Sequence, residues 1–221
     1  MKTNKNRKTY AAMAILTLGM FCPGVMAGDQ SFDLVAGYHW LSPGKDADWK
    51  NASGLELQGR FWRSAHLGIA LVGSADTWKA RTEITEEDSG NAYASTSIMG
   101  DASVTSLGAS VLYRSGAVSD VKLVMDFGLR YAMVDSAVYA EAAYDGPGGP
   151  NYLYDKIHID NTMLFVAGAG LEFEVSNEIS LTLGVSCQVD INKPEERFAG
   201  SSLGETGLDA VSFGVLLSCK F

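Results

Sequence analysis

The sequence predicts an all-β fold in which eight antiparallel strands close into an up-and-down barrel. In eight segments, apolar residues alternate with polar or small ones, which is the pattern of a strand with one apolar face. The connections between these segments alternate between short and long. Glycine is abundant, with 24 residues, and proline is scarce, with 5, a composition that fits neither a collagen-like repeat nor a proline-rich disordered chain.

Length, charge and cysteine content exclude several classes of protein. At 221 residues, the chain has the length of a single domain. Its net charge of −9 is opposite in sign to the basic surface of a nucleic-acid-binding protein, so we expect no nucleic-acid partner. Three cysteines, one of them in the N-terminal leader, cannot form a disulfide framework. After the leader, no apolar run approaches the ~18 residues of a membrane-spanning helix.

The N-terminal leader, residues 1–27, has the features of a secretory signal peptide. A basic start, residues 1–8, precedes an apolar run, residues 11–21, which is too short to span a bilayer. Small residues follow at 25–27, where a signal peptidase would cleave. We therefore expect a cleaved signal peptide and a mature barrel domain, residues 28–221, that lies outside the cytoplasm.

The order of short and long connections predicts a transmembrane β-barrel. The eight alternating segments are 31–40, 55–61, 67–72, 107–114, 121–133, 163–175, 179–189 and 211–221. Short turns at 63–66, 115–119 and 177–178 join segments two and three, four and five, and six and seven, whereas the connections 43–53, 79–102, 137–159 and 193–207 are long. With eight strands, the short turns and both termini lie at one end of the barrel and the four long loops at the other. Short periplasmic turns opposite long extracellular loops are typical of membrane barrels.

The direction of the apolar face decides between a membrane barrel and a soluble one. A secreted lipocalin-like carrier has the same alternation with its apolar face inside. Here the other face consists mostly of Gly, Ser, Ala and Thr, which is too sparse in charge for a surface in water but suits a crowded lumen. Aromatic residues of the apolar face gather at the strand ends, as in the interfacial girdles of membrane barrels. They are Phe32, Phe61, Tyr113, Phe173 and Phe221 at the turn end, and Tyr38, Trp40 and Tyr131 near the loop end.

The C-terminal segment, residues 211–221, is an alternating strand closed by an aromatic residue. Its apolar positions include Phe213, Val215, Leu217 and Phe221. This ending resembles the C-terminal assembly signal of bacterial outer-membrane proteins. Together with the eight strands, residues 28–221 resemble the small outer-membrane barrels of the outer-membrane protein A and X kind, often grouped with the porin family. The resemblance implies a location in the outer membrane of a Gram-negative cell envelope, with outer-membrane lipids and the barrel assembly machinery as partners.

Charged residues on the non-apolar face are predicted to form a network in the lumen. An eight-stranded barrel is just wide enough to be filled by its own side chains, so isolated charges there would be costly and should be paired. Neighbouring strands would bring Lys122 to Glu172 or Glu174, and Arg130, higher up, to another acid. We expect this network to close the lumen to all but small ions. Its members would be Asp33, Glu56, Arg60, Arg114, Lys122, Asp126, Arg130, Glu172 and Glu174.

Few residues indicate catalytic chemistry. The sequence has no phosphate-binding loop and no Gly-x-Ser-x-Gly motif. His39 and His158 both fall near the loop end on the inward parity, so a catalytic pair with Ser42 or another loop serine, as in outer-membrane lipid-modifying enzymes, is an open alternative. His66 is expected to be solvated in a periplasmic turn. Since no third ligand lies at a recognisable spacing from the histidines, we expect no metal site. Since the sequence has none of these motifs, we also expect no cofactor and no catalytic residue.

Two of the long loops have distinctive compositions. An acidic run in 79–102, Glu83 and Glu86–Asp88, lacks the spacing of a calcium loop and is expected to be a solvated loop. In 137–159, four tyrosines flank residues 145–151 and predict a projecting hairpin braced by aromatic rings. Binding of an extracellular ligand by the loops 79–102 and 137–159 is an open alternative. The tyrosines are Tyr139, Tyr144, Tyr152 and Tyr154.

The sequence as a whole predicts a non-enzymatic barrel with a structural or surface-interaction role, porin-like and largely plugged. Two alternatives belong to other classes: an outer-membrane lipid-modifying enzyme and a secreted lipocalin-like carrier. Cys187 and Cys219 both point outward on the last two strands. We favour free, lipid-facing thiols, although a pairing of directly opposite residues would allow a disulfide.

Overall fold

The computed structural model describes residues 31–44, 48–81, 83–88, 93–116, 121–145 and 149–221. The predicted signal peptide lies outside the described residues. Within this part of the chain there is no helix long and apolar enough to cross a membrane. The strands are β1 (Ser31–Pro43), β2 (Trp49–Trp62), β3 (Leu67–Ala80), β4 (Glu83–Asp88), β5 (Tyr93–Arg114), β6 (Val121–Asp145), β7 (Asn151–Lys156), β8 (His158–Ile159), β9 (Thr162–Glu174), β10 (Ile179–Asp190), β11 (Glu195–Phe198), β12 (Ser201–Glu205) and β13 (Ala210–Lys220).

Eight of these strands form a closed, antiparallel up-and-down barrel. Each barrel strand pairs with the next barrel strand along the chain, in the order β1, β2, β3, β5, β6, β9, β10 and β13. Strand β13 then pairs with β1, from Asp33 opposite Lys220 to Pro43 opposite Ala210, and closes the barrel. The predicted fold class is therefore confirmed.

The long connections contain more strand than the sequence analysis predicted. Strands β5 and β6 continue as one uninterrupted ladder, from Arg114 opposite Val124 to Tyr93 opposite Asp145. Strand β4 pairs with β5 and β7 pairs with β6, so a four-stranded sheet rises above the barrel. The acidic run Glu83–Asp88, expected as a solvated loop, is the strand β4. A second, three-stranded sheet is made of β8, β11 and β12.

The outer wall of the barrel is apolar over the length that a membrane requires. On β6, the outward positions run from Leu123 to Met133, 11 residues that match the ~9–11 needed to cross hydrocarbon at a tilt. This apolar belt of outward residues ends at Asp101 on β5 and Asp135 on β6, whose side chains are exposed and point outward. The predicted aromatic girdles are present: at the turn end the Phe32 ring lies 4.9 Å from that of Phe61 and 6.1 Å from that of Phe221, and at the loop end Tyr38 and Trp40 pack edge to face.

The interior of the barrel is layered. A small apolar cluster at the turn end contains Trp62, Leu112 and Val124. A larger one at the loop end is centred on Trp49 and Trp78, whose rings pack edge to face with centroids 5.9 Å apart. Buried polar and charged residues fill the rest of the lumen. The sequence analysis predicted only the charged part of this interior.

Candidate functional site

The lower part of the lumen, nearest the turn end, contains a group of side chains that contact Arg114. Its guanidinium lies 2.9 Å from Asp33 Oδ2 and 3.3 Å from Glu172 Oε2, and it stacks on the Trp62 ring at 3.8 Å. Trp62 Nε1 donates a hydrogen bond of 2.7 Å to the same Asp33 oxygen. Arg60 Nη1 lies 3.9 Å from the same Glu172 oxygen. All five side chains are buried, so these charges are neutralised by one another instead of by bulk water.

The middle of the lumen is linked to this lower group along one face of β2. Because residues two apart on a strand share a face, Glu56, Gln58 and Arg60 point into the lumen together. Gln58 connects them: its amide donates to Glu56 at 2.5 Å and accepts from Arg60 Nε at 2.6 Å. Across the lumen, Arg130 Nη1 lies 2.7 Å from Glu56 Oε2. Arg130 thus has the acidic partner that was expected for it.

His39 joins the network near its upper end. Its Nε2 lies 2.5 Å from Asp76 Oδ1, and its Nδ1 lies 3.8 Å from Glu56 Oε2. Asp76 accepts a second hydrogen bond from the hydroxyl of Ser74, 2.8 Å away. The serine therefore bonds to the acid and not to the imidazole, so this arrangement does not generate a serine nucleophile, which requires a base in contact with the hydroxyl.

The rim of the lumen at the turn end carries the predicted ion pair of Lys122. Strand pairing places Lys122 opposite Glu172, and its Nζ lies 2.7 Å from Glu174 Oε1. Lys220, on β13, binds the same oxygen at 2.8 Å and lies 3.7 Å from Glu172 Oε1. The rim is more exposed than the network above it, with 36% of the Glu174 side chain accessible.

A cavity of about 60 Å³ lies beside the network and is lined by His39, Glu56, Asp126 and Arg130 on one side and by small residues of β10 and β13 on the other. Its walls carry several hydrogen-bonding groups, and it has room for a few water molecules. Asp126 faces this space and is less buried than its neighbours.

Comparison with solved structures extends these observations. The outer-membrane protein OprG from Pseudomonas aeruginosa superimposes with a TM-score of 0.56 at 11% sequence identity, over 86% of this chain and 95% of OprG. The chain has the fold of a small outer-membrane β-barrel. This fold and the apolar outer wall place the protein in a bacterial outer membrane.

Two further outer-membrane barrels align over most of the chain. Neisserial surface protein A matches with a TM-score of 0.47 and 16% identity, over 89% of this chain and 100% of that one. The attachment invasion locus protein Ail of Yersinia pestis matches with a TM-score of 0.41 and 15% identity, over the same shares. No protein-family profile and no curated protein sequence matches the chain.

The structure does not bring together the histidines and the serine proposed as a catalytic pair. Ser42 is exposed and, three residues from His39, lies on the opposite face of β1. His158 is exposed in the three-stranded sheet, so its predicted inward orientation is wrong. His66 is exposed as expected, but its Nδ1 lies 2.8 Å from the Arg114 carbonyl oxygen and its ring stacks on Tyr113.

Both cysteines of the barrel are free. Cys187 pairs with Val211 in the β10–β13 ladder, and Cys219 pairs with Ile179, so the two thiols lie at opposite ends of neighbouring strands. This register excludes the disulfide that the sequence had left open, because bridged residues need Cα atoms within about 7 Å of each other.

The sequence analysis missed several residues of the lumen. Asp76 and Ser74 continue the inward parity of β3, but Gly73 and Ala75 between them remove the apolar alternation that would have shown it. Trp62 and Gln58 also have inward parity on β2, and this parity was the signal that could have identified them.

The outer face of the four-stranded sheet of β4, β5, β6 and β7 is rich in tyrosine. Tyr139 and Tyr154 stack in parallel with ring centroids 5.5 Å apart, and Tyr152 hydrogen-bonds to Glu141 on the same face. The predicted projecting hairpin with aromatic rings bracing its arms is therefore present in β6 and β7, with residues 146–148 outside the described range.

Proposed function

We propose that this protein is a non-enzymatic outer-membrane barrel that is closed to solutes and binds an extracellular partner through its projecting sheet. The observation that carries the closure is the filled lumen, in which a connected set of buried ion pairs lies beneath an apolar cluster. A large polar solute could pass through such a space only if buried ion pairs were broken, and breaking a buried ion pair is costly.

The two alternatives have less support. A soluble carrier needs an apolar interior and a polar exterior, and the outward belt of this barrel is apolar. A lipid-modifying enzyme would need a base positioned against a hydroxyl, whereas His39 contacts two carboxylates.

Conductance in a planar lipid bilayer tests the closure. The purified barrel should show at most small, intermittent currents in salt solution. A steady conductance large enough for hydrated solutes would contradict the proposal. Assay of the same preparation for modification of lipid A would test the non-enzymatic part, and turnover abolished by His39→Ala would overturn it.

The partner-binding part of the proposal is carried by the tyrosine-rich face of β6 and β7. Beyond Asp135, β6 continues for about 10 residues, or about 33 Å along the strand. The tyrosine-rich face therefore lies outside the hydrocarbon region of the membrane. Tyr152 and Tyr154 are among its most exposed side chains, at 60% and 55%. Rigid aromatic rings beside a carboxylate are suited to recognising a saccharide or a polar protein surface.

The test is to measure binding of the purified barrel to cells or to immobilised glycans. The double variant Tyr152→Ser, Tyr154→Ser should lose most of any binding that the wild-type barrel shows. The matched control is Tyr144→Ser, because Tyr144 is comparably exposed but points to the other face of the same sheet. Equal loss in control and double variant, or no binding by the wild type to either kind of target, would contradict the proposal.

A further inference from the structure

A second cavity, which we name the mouth cavity, lies at the extracellular end of the barrel interior. Its lining includes Asp48, Trp49, Ile98, Ile157, Ile159 and Glu196. It measures about 40 Å³ and is partly open to solvent. The isoleucines and the Trp49 ring make most of the wall apolar, and the two carboxylates supply its acidic groups. The proposed surface-binding function does not involve this cavity.

The two carboxylates of the mouth cavity share one side-chain donor. The Thr206 hydroxyl, almost completely buried, donates to Asp48 Oδ2 at 2.9 Å and is also within hydrogen-bonding reach of Glu196. A threonine hydroxyl has a single proton to donate, so it cannot serve both acids at once. Burial raises the pKa of Glu196, and the negative charge of Asp48 raises it further, whereas the contact with Thr206 lowers it. Among the described residues, the groups that shift this pKa do not include a cation.

Trp49 provides an independent observation. Its side chain is 2% exposed, lines the cavity, and its indole N–H has no hydrogen-bond partner among the described residues. A buried donor left without an acceptor is costly, by about 1–3 kcal/mol. A bound molecule with an oxygen acceptor would satisfy it. The same ring offers a π face to a cation, and aromatic rings beside carboxylates are well suited to ammonium groups.

We infer that the mouth cavity binds a small primary ammonium compound that also carries an oxygen acceptor. The ammonium group, with three donors, would be held between Asp48 and Glu196, and the oxygen would accept from Trp49 Nε1. Arg81 also lines the cavity, so the wall holds one basic side chain against two acidic ones. The carbon chain of the ligand would lie against the isoleucines.

Ethanolamine is the probe for this site, and the indole N–H resonance of Trp49 is the reporter. In a titration of the refolded barrel in detergent micelles, followed by NMR, this resonance should shift saturably, and Trp49→Phe identifies it among the four tryptophans. Ethanol, which has the hydroxyl without the ammonium, should produce no saturable shift at the same concentrations. A response to ethanol equal to that of ethanolamine would overturn the inference.

Charge-neutralising variants test the carboxylates. Asp48→Asn and Glu196→Gln should each weaken ethanolamine binding by about tenfold or more, because each removes one charge-assisted hydrogen bond. Glu205→Gln is the matched control, since it makes the same charge change at an exposed position on β12. Unchanged affinity in both cavity variants, or equal weakening in the control, would show that the carboxylates do not hold the ammonium group. Ethanolamine binding by the wild type should also weaken on acidification, because protonation removes the charge of Glu196. The weakening should begin at a higher pH than the pKa of an ordinary glutamate would give, since the pKa of Glu196 is raised.

Discussion

Glu172 is the acid on which the lower lumen network converges, so we expect Glu172→Gln to destabilise the barrel substantially. Its carboxylate is fully buried and lies 3.3 Å from Arg114, 3.9 Å from Arg60 and 3.7 Å from Lys220. Glutamine keeps the shape of the side chain and accepts one hydrogen bond, but it leaves three cations with one negative charge fewer. Removing one partner of a buried ion pair costs about 3–5 kcal/mol. Because one hydrogen bond is retained, we expect a loss of about 3 kcal/mol in the free energy of unfolding.

The matched control is Glu174→Gln, two residues further along the same face of β9. Glu174 binds Lys122 and Lys220 at the more exposed rim, where an ion pair contributes less than about 1 kcal/mol. Both variants would be unfolded with urea from lipid vesicles and followed by tryptophan fluorescence. The temperature at which each loses its unheated mobility in electrophoresis gives a second readout. Equal losses in the two variants, or a loss below 1 kcal/mol for Glu172→Gln, would refute the reasoning that burial makes the network stabilising.

Three further predictions follow from single residues. A lipid-soluble maleimide should label Cys187, which is exposed on the outer wall, and non-reducing electrophoresis should show no bridge to Cys219; a band shift on reduction would contradict this. Gly108→Val should destabilise the barrel by about 1–3 kcal/mol in the same urea assay, because a Cβ there would collide with the backbone carbonyl oxygen of Leu129; wild-type stability would show that the wall can adjust. Deletion of Phe221, whose backbone N–H bonds to the Phe32 carbonyl at 2.8 Å, should reduce the amount of folded barrel in the outer membrane, as measured by cell fractionation; normal levels would contradict an assembly signal.

The barrel itself could be predicted from the sequence because each membrane-crossing strand alternates apolar and small residues. The extension of β5 and β6 beyond the apolar wall could not be predicted, since the alternation ends where that wall ends. On β6, the segment after Asp135 contains Ala137, Ala140, Ala142 and Ala143, and alanine does not distinguish an outward from an inward position. Hydrogen bonding between β5 and β6 continues there regardless of side-chain polarity, so the strands are longer than the apolar pattern.

The lumen could be predicted only where neighbouring strands determine the contact. Lys122 and Glu172 lie on adjacent strands, so their proximity follows from strand order and approximate register. The contact of Arg130 with Glu56 crosses the barrel from β6 to β2, and the sequence indicated only that an acid would be found. The contact of His39 with Asp76 joins β1 to β3 across the intervening β2, which depends on the curvature of the closed wall.

The layered interior explains how one narrow lumen can hold so many charges. Trp49 and Trp78 belong to the apolar cluster at the loop end, and Trp62, in the cluster at the turn end, donates to Asp33. Because the side chains of the network above the rim are buried, opposite charges attract more strongly there than at a surface, and breaking one pair leaves a costly buried charge. The apolar clusters and the ion pairs therefore depend on each other. We therefore expect the proposed closure of the lumen to depend on all of these contacts together, so that removal of a single salt bridge weakens the barrel before it opens a path.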